Sequence, residues 1–131
     1  MRHVISAALC MGFFTLLQAQ TVIAPGEVSG VWTKNNSPYH INGNIYIQHD
    51  STLTIEPGVR IEFQGHFELK VMGRLLAEGT KSDSILFTVN DTTGFFDQDA
   101  ATGAWYGIRI YDISPENDST KLAYCRLEFG K

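Results

Sequence analysis

One stretch of the sequence repeats itself at an offset of 22 residues. Gly43 falls on Gly65, Ile45 on Phe67, Ile47 on Leu69, Leu53 on Leu75, Ile55 on Ala77 and Pro57 on Gly79. Apolar positions fall on apolar positions, and turn formers on turn formers. A third run, Val59 to Phe63, falls on Ile85 to Val89 once residues 80–83, "TKSD", count as an insertion. Within each unit the apolar residues alternate: Leu53 and Ile55; Val59, Ile61 and Phe63; Phe67, Leu69 and Val71; Leu75 and Ala77; Ile85, Phe87 and Val89. Each run is short and bounded by Gly, Pro, Asp, Asn or Ser, the pattern of β-strands with one buried face. After residue 20 no helical period is sustained.

Three short strands per unit and a period near 22 specify a parallel β-solenoid. One coil cannot bury its inner face alone. Coils stacked about 4.8 Å apart pair their backbones and build a continuous apolar column. An antiparallel sandwich also uses short strands. Its hairpins favour Asn-Gly or Asp-Gly turns, and none lies between the runs above.

Residues 90–104 interrupt the pattern as a polar loop around Phe95 and Phe96. Alternation returns at Tyr106, Ile108 and Ile110. After a polar turn over 113–121, Ala123, Cys125, Leu127 and Phe129 are expected on the inner face, with Leu122, Tyr124, Arg126 and Glu128 outside. This makes Cys125 a packing residue. Residues 21–44, rich in turn formers, are expected as an N-terminal cap, and 45–131 as about three to four coils. The last strand ends at Lys131 with an open coil edge, so a fragment of a longer protein, or pairing through that edge, is expected.

Residues 1–20 have a basic start at Arg2, an apolar run from Val4 to Leu17 and a small residue at Ala19, the layout of a secretory signal peptide. The run is too short to span a bilayer, which needs roughly 20 residues. A secreted or outer-surface location follows, with no membrane insertion once the segment is removed. Without Arg2, 9 basic residues face 14 acidic ones, a net charge of −5. No basic stripe is present, which argues against nucleic acid as a partner. Removing Cys10 leaves Cys125 alone, so no internal disulfide forms.

The segments "STLTIEPGVRIEF", "GRLLAEGTKSDSILFT", "WYGIRI" and "AYCRLEFG" resemble the N-terminal coils of secreted right-handed parallel β-helix repeat proteins of Bacteroidetes type, within the pectate-lyase-like superfold. The resemblance spans roughly residues 28–131. It implies an all-β, right-handed parallel β-helix in which Trp32 covers the open end of the column. It also implies a longer protein ending in a sorting domain for type IX secretion. The implied function is a non-catalytic secreted or cell-surface scaffold for adhesion or glycan contact. The alternative is the N-terminal part of a polysaccharide lyase or glycoside hydrolase whose active groove lies in further coils. No catalytic residue carries over.

Candidate chemistry is sparse. Glu56 stacks over Glu78 in the 22-residue register, and two close carboxylates can act as acid and base or bind calcium. On solvated turns they do neither. Asp97 and Asp99, with Asp91 upstream, offer oxygen ligands for calcium, against the reading of a solvated loop; no other cofactor is expected. His40, His49 and His66 share no zinc-ligand spacing. Trp105, Tyr106 and Tyr111 are the candidates for stacking against sugar rings, with Tyr46, Phe95 and Phe96 as further aromatics. The competing expectation folds Phe95 and Phe96 back over the column.

Overall fold

A computed structural model describes residues 19–111 and 119–131. The segment expected as a signal peptide lies outside these residues except for its last two, as does most of the polar turn over 113–121. Thirteen strands run through the described residues: β1 (Thr21–Ile23), β2 (Gly26–Glu27), β3 (Gly30–Trp32), β4 (Tyr39–Ile41), β5 (Ile45–Ile47), β6 (Thr52–Ile55), β7 (Arg60–Phe63), β8 (Glu68–Val71), β9 (Arg74–Glu78), β10 (Ile85–Val89), β11 (Gly107–Ile110), β12 (Lys121–Ala123) and β13 (Cys125–Leu127).

They form three sheets, ordered β1-β4-β7-β10-β13, β11-β8-β5-β2 and β12-β9-β6-β3. Every pairing is parallel. Each strand thus pairs with the strand one coil away, and the chain is an all-β, right-handed parallel β-helix. Among the described residues no helix is long and apolar enough to cross a membrane.

Inward side chains form axial rows. Tyr39, Ile61, Phe87 and Leu127 share one. Ile45, Leu69 and Ile108 share a second, with Ile47, Val71 and Ile110 beside it. Trp32, Ile55, Ala77 and Leu122 form a third. Ile41, Ile47, Leu53, Ile61, Phe63, Leu69, Leu75 and Phe87 are wholly inaccessible. Each such side chain contributes about 1.5–3 kcal/mol of burial, the main favourable term in the column.

The register corrects the simple 22-residue alignment at one sheet. Leu53 pairs with Leu75 and Ile55 with Ala77, as the offset requires. Ile45, however, pairs with Leu69 and Ile47 with Val71, an offset of 24. Between register partners, the step from Phe63 to Leu69 is longer by two residues than that from Ile41 to Ile45. The corner between β8 and β9 is shorter by two than that between β5 and β6. The shortening forces Gly73 against the preceding coil: a Cβ there would lie 2.1 Å from the Gln48 carbonyl oxygen. The "TKSD" insertion is real, and Ile61 pairs with Phe87 at an offset of 26.

Two further expectations change. Residues 21–44, expected as a turn-rich cap, hold four strands, including an entire first coil. Asn42-Gly43, a hairpin dipeptide by type, instead turns the corner between β4 and β5, which lie in different sheets. At the other end Leu122, not Ala123, continues the inward row over Ala77. Tyr124 adopts φ 49, a left-handed corner that exchanges the faces before β13. Cys125 and Leu127 do face inward, over Ile85 and Phe87. Trp32 is buried in the first coil, its ring stacked on Tyr39 at 4.7 Å.

Candidate functional site

The outward face of the second sheet, β2, β5, β8 and β11, concentrates recognition chemistry. Parity turns alternate residues outward, and the parallel register brings Glu27, Tyr46, Lys70 and Arg109 onto successive rungs of one row. Arg109 Nη1 donates to Glu68 Oε2 at 3.2 Å and to the Tyr106 hydroxyl at 3.3 Å. Its guanidinium lies 5.2 Å from the Tyr106 ring centre and 4.7 Å from that of Tyr111. Lys70 Nζ stands 4.8 Å from the Tyr111 ring centre. Asn44 Oδ1 accepts the Glu68 backbone N–H and ties this face to the coil below. Two tyrosines therefore bracket a guanidinium, with an ammonium alongside, in cation–π contact.

Next to this face, the chain between β10 and β11 expands into the loop over 90–104. Gln64, His66, Asn90, Asp91, Thr93 and Thr102 are among the residues lining an open cavity of about 550 Å³ between this loop and the corner below. His66 joins cavity and face: its ring tilts against Tyr106 at 5.4 Å, and Nε2 donates to the Lys131 main-chain oxygen at 2.8 Å. Asp91 Oδ1 accepts the Thr93 N–H at 2.9 Å. Bonds from Thr93, side chain first and then backbone, hold the Asp91 carboxyl below its ordinary pKa. The contribution of this bond is present above the ordinary carboxylate range and lost as pH falls.

Trp105, an expected sugar contact, is corrected by its burial. It is 1% exposed, stacked on Phe63 at 4.6 Å with Phe87 6.0 Å away, and its Nε1–H donates to the Glu128 carbonyl at 2.6 Å. Its faces are occupied by core, so it cannot meet a ligand. Phe95 meets Phe129 in a T-shaped contact at 5.1 Å, whereas Phe96 stands 90% exposed rather than folding over the column.

The calcium candidates serve the loop's own geometry. Asp97 Oδ1 accepts the Asp99 N–H at 3.0 Å, closing an Asx turn. Among the described residues no group of three or more His, Cys, Asp or Glu is placed to hold a metal ion. Glu56 Oε1 accepts the Lys34 N–H at 3.0 Å, at the start of a short 3-10 turn (Lys34–Asn36). His40 Nε2 lies 3.6 Å from Glu62 Oε1, and His49 is exposed in a turn.

Lys70, Arg109 and His66 were not singled out as a group from the sequence. Lys70 between Leu69 and Val71, and Arg109 between Ile108 and Ile110, already had outward parity. What joins them is the 39-residue register between β8 and β11, which the intervening loop conceals.

A profile of the pectate-lyase-like β-helix domain matches residues 26–130. Protein bark beetle of Drosophila melanogaster is 31% identical over 100 residues, which cover 75% of this chain and 3% of that protein's length. No solved structure matches the chain. Three all-parallel sheets wound into one column, and a domain match over nearly all described strands, place the chain in the pectate-lyase-like β-helix domain family.

Proposed function

We propose that this chain is a non-catalytic, exported β-helix scaffold that contacts carbohydrate through the outward face of its second sheet. The observation that supports this reading is the bracketing of Arg109 by Tyr106 and Tyr111 on a face that also carries Lys70. Tyrosine rings suit the apolar faces of sugars, and a guanidinium beside an ammonium suits their carboxylate or sulfate groups. The favoured ligand is thus an acidic polysaccharide or cell-surface glycan. Gel-retardation affinity measurements with polygalacturonate, heparin and the neutral glucan laminarin test it. Retardation by the acidic polymers, weakened about tenfold in the Tyr106→Ala, Tyr111→Ala double variant, is expected from the aromatic-pair scale of about 0.5–1.5 kcal/mol per ring. Equal retardation of variant and parent, or none at all, removes the proposal.

The second reading, part of a polysaccharide-cleaving enzyme, draws on the family match. Release of unsaturated or reducing-end oligosaccharides by the purified chain would favour it over the scaffold.

We further propose that the upper end of the column, formed by β11, β12 and β13, pairs with a second copy. Inward rows surface there, with Ile110 49%, Leu122 40% and Leu127 53% exposed.

A further inference from the structure

We infer that the carbonyl ring formed by Gly94, Phe95 and Asp97 is a site for a small monovalent cation, filled in this structure by the ammonium of Lys131. Lys131 Nζ donates to the Asp97, Phe95 and Gly94 carbonyl oxygens at 2.7, 2.8 and 3.3 Å. An ammonium has three donors and no acceptor, and three oxygens satisfy it completely. The Phe95 ring faces the same charge, its centre 5.5 Å away.

The ring owes its shape to the loop rather than to the lysine. The Phe95 N–H donates to the Thr92 carbonyl, and the Asp97 N–H to that of Gly94, each at 3.0 Å. Gly94 and Gly103 take φ +86 and +78, and a Cβ on Gly103 would lie 2.4 Å from the Phe95 nitrogen. The carbonyls therefore converge on a point that a free cation can occupy. Three neutral oxygens suit a single charge better than a double one, and Asp97 Oδ1 already accepts the Asp99 N–H. Ammonium and potassium are the matching ions. Lys131 is delivered to the ring by the strap around Trp105: the Lys131 N–H donates to the Trp105 carbonyl, and the Trp105 N–H to that of Phe129, each at 3.1 Å.

The occupant fixes the loop that walls the cavity beside His66 and carries Phe96 outward. This inference is independent of the glycan reading. Hydrogen exchange across residues 92–99 of the full chain tests it, comparing parent, Lys131→Ala and Lys131→Met. Trp105 fluorescence verifies the fold, and Met keeps the stem while losing the charge. In choline chloride, a cation too large for the ring, both variants should exchange about tenfold faster than the parent. Potassium or ammonium chloride should restore protection in the variants and leave the parent unchanged. Variants as protected as the parent in choline, or unprotected in every salt, would overturn the site.

Discussion

Cys125 shows how one side chain reports its coil. Its Sγ–H donates to the Ala77 carbonyl at 3.2 Å, and it packs under the rim of the column over Ile85. Burial raises the thiol pKa above its ordinary value, outweighing the opposing backbone interaction with Ala123. A raised folded-state pKa means that its contribution to stability is complete below the ordinary thiol range and is lost as pH rises through the higher folded value. We expect alkylation of native Cys125 to lag that of the unfolded chain at pH 8. Its pH–rate curve should be displaced upward, as measured by iodoacetamide mass labelling against the urea-unfolded reference. Equal curves would mean that the thiol is solvated. At the same scale, Tyr124 explains an inversion that alternation alone could not reveal. A run written Leu122, Ala123, Tyr124, Cys125 looks like one strand, but a single left-handed residue splits it into two and swaps its faces.

At the scale of elements, strands with two or three alternating apolar residues were legible from β5 onward, because each buries one face and turn formers bound it. The corners were not legible. Gaining two residues after β7 and losing two after β8 keeps the coil at 22 residues, so the self-alignment looks regular while one sheet slips by a pair. The slip is even, so face assignments survive and only the rung is misplaced. The first coil escaped detection because β2 has two residues and β3 begins with Gly30, leaving Val28 and Trp32 to cover the core without alternation. In the candidate site, the tyrosines were visible as residue types, but Trp105 was indistinguishable from them until its packing was known. Trp105 joins loop, strap and column: Phe63 and Phe87 on its rings, Glu128 on its indole, Gly130 bridged to its backbone. Trp105→Ala should cost about 3–5 kcal/mol, the range for emptying a large aromatic site. Trp105→Phe should recover much of this. Urea melts followed by circular dichroism check both, and a loss under about 1 kcal/mol would show that the strap holds without its ring.

For the whole molecule, the two ends of the column differ. The lower end is closed by the Trp32–Tyr39 stack, which leaves Val28, Trp32 and Tyr39 buried. At the upper end the same rows surface: Ile47 and Val71 are wholly buried where Ile110 is half exposed, and Ile61 and Phe87 are buried where Leu127 is exposed. β11, β12 and β13 each stand last in their sheets, with one ladder neighbour among the described strands. An apolar patch bounded by three edge strands is complemented by another coil. β1, β2 and β3 are edge strands too, but Val28, Trp32 and Tyr39 are buried there, so the exposed inward rows lie at the upper end and upper-to-upper pairing about a two-fold axis is the self-complementary arrangement. Such a pair is closed and stops at two copies. Sedimentation equilibrium should therefore show a concentration-dependent dimer and no higher species. Leu122→Asp with Leu127→Asp should shift it to monomer, because charges buried in an apolar contact without partners cost several kcal/mol. Both positions are already exposed in the single chain, so the variant should keep its melting temperature at low concentration. A parent that stays monomeric at every concentration, or a variant that dimerises equally well, would leave the upper end without a partner of its own kind.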